Sequence, residues 1–154
     1  MEPRLNPWTV APEAVKPMLA LEQSVRESGL EHSLIELVKI RASQINHCAY
    51  CLHMHTADAR RAGESEERLY LISAWRESPL FSPRERAALA WTEALTELAE
   101  SRAPDEAWAG LDPHFTPQEK VKLTMLIVTI NGWNRIAVGF RLVHPVTADQ
   151  RRAA

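Results

Sequence analysis

The sequence predicts an all-α bundle of about six helices, and three observations carry that reading. Ser82-Pro83-Arg84-Glu85 and Thr116-Pro117-Gln118-Glu119 each place a hydroxyl residue, a proline and, three residues on, a glutamate. This is the capping-box signature of a helix start with Pro at the first helical position. Apolar residues recur at helical spacing along most of the chain. There are only five glycines, and no alternating run of Val, Ile and Thr offers a strand or a hairpin. A chain of 154 residues with 45% hydrophobic content fits one domain spanning 1–154.

Taken in order, residues 1–12 hold three prolines and an isolated Trp8 and read as an extended arm without regular structure. From Glu13 to Ser28, Met18, Leu19, Leu21 and Val25 form a helical stripe, which Pro17 interrupts or restarts and Gly29 ends. Glu31 to Ile45 has a wide apolar face and is expected to lead directly into the next helix. Asn46 is the expected N-cap of that helix, which runs to Gly63 as its C′ residue. Ser65 caps a short helix carrying Leu69, Ile72 and Trp75, ending before Pro79. The capping box at Ser82 opens a helix with Ala87, Ala88, Trp91, Leu95 and Leu98 on one face. Residues 101–115 form a connector with a helical turn near Glu106 to Ala109. The last helix runs from Thr116 to about Leu142, is apolar nearly all round between Leu123 and Ile130, and is expected to be central. Residues 143–154 are left as a tail.

Function concentrates between Asn46 and Gly63. Both cysteines, Cys48 and Cys51, and three of the six histidines, His47, His53 and His55, fall within a nine-residue window. On a helix Cys48 and Cys51 are three residues apart and Cys51 and His55 four, so the three side chains share a face. Composition excludes other classes: 18 Lys plus Arg against 20 Asp plus Glu, with no basic run longer than a pair, gives no nucleic-acid signature. No apolar run is long enough to span a bilayer, so no membrane partner is expected. The expectation is a cytoplasmic protein, where a short C-x-x-C pair serves catalysis or metal binding better than it serves as a staple.

From the residues alone three readings of the motif stay open. In the redox reading, Cys48 lies in the first helical turn near unpaired backbone N–H groups and Cys51 passes its proton towards His55, giving an attacking thiolate with a resolving partner. A zinc reading would use Cys48, Cys51, His55 and His47, although structural zinc sites usually join ligand pairs from separate segments. In the third reading the cysteines are merely small and buried. Glu36, read alone, is a solvated face residue, His53 a surface or interface side chain, and His32, His114 and His144 ordinary polar positions. Trp91, Trp133 and Met125 read as core or subunit interface. No glycine-rich phosphate cradle is present and no cofactor is expected.

Glu36, Cys48, Tyr50, Cys51 and His55, spaced E-x11-C-x-Y-C-x3-H and followed by the run Ala59 to Ser65, resemble the core motif of the alkylhydroperoxidase D-like proteins of the carboxymuconolactone decarboxylase superfamily. Similarity extends through Trp75, the Glu85 to Thr96 helix and Ile130-Asn131-Gly132-Trp133-Asn134-Arg135, covering most of residues 30–142. The resemblance implies an all-α fold assembling as homotrimers or homohexamers. It implies hydroperoxide reduction by the dithiol, with electrons from a small dithiol or a thioredoxin- or lipoyl-type protein. It places catalytic roles on Glu36, Cys48, Cys51 and His55, with no metal among them. On the residues themselves, His55 favours Cys51 as the attacking thiolate with Cys48 resolving, the assignment adopted, whereas the helix dipole favours the reverse. His47 and Tyr50 are accessory candidates. Tyr50 stands where some peroxidases of the family have a histidine, which implies slower turnover. A relay from Glu36 through His55 is expected if the two helices pack antiparallel about a turn near Ile45 to His47. The alternative is a redox-sensing or binding module in which the same thiols oxidise once.

Overall fold

The computed structural model describes residues 2–146, so most of the expected tail, 147–154, lies outside the described residues. All regular structure among them is helical: α1 Pro7–Val10, α2 Pro12–Arg26, α3 His32–Ile45, α4 Ala49–Arg61, α5 Glu66–Leu71 with a 3-10 turn Ile72–Ala74, α6 Pro83–Thr96, α7 Leu98–Ser101, α8 Asp105–Ala109 and α9 Pro117–Phe140. The six expected helices are α2 to α6 and α9. The other three have four or five residues each. One of them, α1, corrects the reading of residues 1–12 as irregular: the Asn6 side chain accepts the Trp8 N–H and Pro7 supplies the first helical position.

Both capping boxes form in full, at Ser82 with Glu85 and at Thr116 with Glu119. Pro17 lies inside α2 without ending it. The centre of the bundle is α3 rather than α9. Every residue from Leu34 to Ile40 is buried, and α3 packs against α4, α6 and α9 together. Helix α9 turns Leu123, Leu126, Ile127 and Ile130 into that core and leaves Val121, Met125 and Val128 exposed on its outer face. Apolar side chains buried to this degree contribute about 1.5–3 kcal/mol each.

Polar groups inside the bundle are paired. Lys39, only 1% exposed, places Nζ 2.6 Å from Glu22 Oε1 on α2, and Trp133 Nε1 donates to the other oxygen of Glu22. Gly132 on α9 faces Met18 so closely that a Cβ there would lie 2.8 Å from Met18 Cε. The absence of a side chain at Gly132 therefore lets α2 approach α9. No helix among the described residues is long and apolar enough to cross a membrane.

Candidate active site

The turn between α3 and α4 sets the geometry, and it differs from the expectation in one respect. Asn46 ends α3 rather than starting α4, His47 takes a left-handed φ of 53°, and Cys48 is the N-cap. The physical reason is tertiary. Asn46 Nδ2 donates to Asn131 Oδ1 and to Asn134 Oδ1 on α9, both at 2.9 Å, while Asn134 Nδ2 donates to Ser43 Oγ at 3.0 Å. With its amide committed to α9, Asn46 holds the last turn of α3 in place and hands the capping position to Cys48.

Cys48 and Cys51 are joined in a disulfide, with Cα atoms 5.4 Å apart. Both residues are 1% exposed and pack with Ala137 and the partly buried Tyr50 and Leu142. The Cys51 backbone N–H donates to Cys48 Sγ at 3.3 Å, so the sulfur occupies the position a capping oxygen would take at the positive end of α4.

One turn along, α3 and α4 run back to back, and Glu36 meets His55 across them. Oε2 lies 2.9 Å from Nδ1, in surroundings that leave Glu36 5% and His55 4% exposed. Glu36 is therefore not the solvated face residue that its sequence position alone suggests. With the carboxylate ionised, Nδ1–H is the donor, which leaves the Nε2 lone pair free as an acceptor. A base oriented in this way by a carboxylate, on the helix face that carries Cys51, can take and return a proton.

Tyr50 is half-buried against the cysteines, and His47 is exposed beside Cys48. His53, also exposed, stacks on His144 with ring centroids 4.6 Å apart, a contact that a simple polar reading of His144 did not foresee. Trp91 is buried and donates Nε1–H to Thr124, as a core position should. The four residues of the zinc reading do not converge: the two sulfurs bond to each other and His55 faces Glu36.

Two residues near the site went unnoticed in the sequence. Asp58 follows His55 by three residues, and its carboxylate, Glu36 and His55 offer donor atoms all within 4.8 Å of one another, a set that could hold a cation. The signal, a shared helix face, was present in the spacing. Arg4 was not legible at all. It reaches the site from the far end of the chain, donating to Gly139 O at 2.7 Å beside the C-terminus of α9.

Comparison with known proteins places the chain among relatives. Residues 12–94 match the sequence model of the carboxymuconolactone decarboxylase family. The uncharacterised protein YdfG of Bacillus subtilis is 41% identical over 138 residues, covering 90% of this chain and 94% of its own length. The uncharacterised YnjA of Escherichia coli is 31% identical over 102 residues, covering 66% of this chain and 56% of its own. A crystal structure from Agrobacterium tumefaciens, of a protein of unknown function described as a candidate antioxidant defence protein AhpD, superposes with a TM-score of 0.92. It is 51% identical, over 95% of this chain and all of the other.

Proposed function

Because the chain belongs to the carboxymuconolactone decarboxylase family, we propose that it is a thiol-dependent oxidoreductase that reduces hydroperoxides through Cys48 and Cys51. The observation that carries this reading is the buried Glu36–His55 hydrogen bond on the helix that also presents the cysteine pair. A structural disulfide needs no oriented base, whereas a peroxidatic thiol does. The antioxidant description of the Agrobacterium protein supports the same direction.

In the proposed cycle His55 accepts the Cys51 proton, and the thiolate attacks the distal peroxide oxygen. The O–O bond breaks, Cys51 becomes a sulfenic acid, and the departing alkoxide takes the proton back from His55. The Cys48 thiol then attacks the sulfenic sulfur, water leaves, and the disulfide forms. An external dithiol, free or carried on a thioredoxin- or lipoyl-type protein, restores the two thiols. In the reduced state the Cys51 N–H that faces Cys48 Sγ favours a thiolate there, so Cys48 is the better partner for exchange. The exposed stripe Val121, Met125 and Val128 on α9 is the surface through which copies of the chain would assemble as a trimer or a multiple of it.

The test is a thiol mass balance. Reduced protein treated with a small excess of hydroperoxide should lose two hydrogens and both alkylatable thiols, and with excess dithiol it should consume many equivalents of peroxide. One round of oxidation without turnover would assign it instead to redox sensing. Thiols indifferent to hydroperoxide would remove the proposal.

A further inference from the structure

Around the Glu36–His55 bond, the facing sides of α3 and α4 carry more donor atoms than a proton relay uses. His32 precedes Glu36 by four residues and Asp58 follows His55 by three, so each helix repeats a ligand-type side chain on the face it turns to the other. Donor atoms of Glu36, His55 and Asp58 lie within 4.8 Å of one another, the first two buried and Asp58 half-buried. Glu36 commits only Oε2 to His55. Among the described residues Oε1 accepts no hydrogen bond, and no sealed side-chain oxygen there lacks a partner, so Oε1 meets open space. That space is a pair of cavities, one of about 120 Å³ and one of about 470 Å³, both lined by Glu36 and His32 and the larger also by Asp58. Three cations line the larger cavity, and each already faces a carboxylate: Arg26 and Lys39 are bonded to Glu22, and Arg61 to Asp58. The Arg61 side chain is 76% exposed, so it can swing into solvent and release Asp58 at little cost.

We infer that Glu36, His55 and Asp58 form a site for a divalent transition-metal ion of the zinc type, and that its occupation switches off the base. One imidazole and two carboxylates supply three ligands to a tetrahedral ion, with water or His32 from the same cavities in the fourth place. The switch rests on the reading above that His55 takes the Cys51 proton. An ion on Nε2 occupies the lone pair that would accept that proton. An ion on Nδ1 displaces the Glu36 hydrogen bond and moves the ring proton to Nε2, with the same result. Zinc changes no oxidation state, so the dithiol is silenced without being consumed.

The disulfide form of the protein tests the site free of competing thiols. Titrated calorimetrically with zinc sulfate, it should bind one equivalent, and cobalt(II) in its place should show d–d bands without thiolate-to-metal charge transfer. Asp58→Asn should weaken zinc binding roughly tenfold or more. His53→Gln, which removes the stacked pair with His144, should leave it unchanged. In the reduced protein saturating zinc should slow thiol oxidation by hydroperoxide roughly 10²-fold or more, and a chelator should restore the rate. Asp58→Asn, compared with its own zinc-free rate, should need correspondingly more zinc for the same inhibition. No binding to the disulfide form, or binding that His53→Gln removes and Asp58→Asn keeps, overturns the inference and leaves the peroxidase reading standing. Zinc that inhibits Asp58→Asn as readily as the wild type acts on the thiols and overturns the switch. Thiols indifferent to hydroperoxide would remove the proposed function and the switch with it, while one equivalent of zinc on the disulfide form would still uphold the cation site.

Discussion

Replacing Glu36 by Gln removes one charge from the interior and almost no volume, which makes it the sharpest probe of the proposed relay. Glu36 and His55 are each about nineteen-twentieths buried and 2.9 Å apart, so water does not screen what passes between them. When His55 takes the Cys51 proton it becomes a cation facing an ionised carboxylate. A hydrogen bond to a charged partner is worth about 1.5–3 kcal/mol and a neutral one about 0.5–1.5. The substitution keeps the second and loses the first, a deficit of about 1–2 kcal/mol. At about 1.4 kcal/mol per decade this predicts thiol oxidation roughly five- to thirtyfold slower. His55→Gln, which removes the base itself, should cost roughly 10² to 10⁴ in rate. Because Glu36 acts only through His55, the double variant should be no slower than His55→Gln alone. The assay is stopped-flow loss of thiols from the reduced protein with hydroperoxide, with circular dichroism and thermal unfolding as controls for the fold. Wild-type rates in both single variants, or penalties that add in the double variant, would refute the relay and leave Glu36 as a structural partner of His55.

Three further outcomes are expected. Cys51→Ser should abolish peroxide consumption, whereas Cys48→Ser should leave a sulfenic acid on Cys51 that dimedone traps; trapping on Cys48 in the converse variant would reverse the roles. Met125→Glu, in the middle of the exposed α9 stripe, should convert a trimeric or hexameric species into monomer by light scattering, and a wild-type protein that is already monomeric at micromolar concentration would contradict the proposed assembly. Glu119 is held down to about 2, first by the Thr116 backbone N–H, then by Arg84 and the Thr116 hydroxyl. Its contribution to stability is therefore complete above the ordinary carboxylate value of 4.5 and is lost as pH falls through about 2. Glu119→Gln should lower the thermal midpoint at neutral pH and flatten its fall across that acid window, and parallel curves for the two proteins would show that the capping box carries no linked stability.

What could be read in the sequence divides along a physical line between local and tertiary causes. The capping boxes at Ser82 and Thr116 were legible because cap, proline and glutamate lie within one helical turn and satisfy one another wherever the helix docks. The shared face of Cys51 and His55 was legible for the same reason, since helix geometry alone fixes it. Asn46 misled because its capping power is a local preference, and α9 offered its amide two acceptors on residues 85 and 88 positions away. Cys48 then became the cap by default, and the turn tightened through a left-handed His47 that no neighbouring residue signals. The centrality of α3 was hidden for a related reason: Glu36 and Lys39 make its sequence look amphipathic, and only their partners His55 and Glu22, on two other helices, allow both to be buried. The same logic explains why Arg4 could not be foreseen. It stands at the mouth over Cys48 because the N-terminal arm is hydrogen-bonded to the end of α9, a pairing across 135 residues that leaves no mark in either segment. The cysteine and histidine spacing was thus written locally in α4, whereas the burial of His55 comes from Glu36 on α3 and the place of Arg4 from the end of α9.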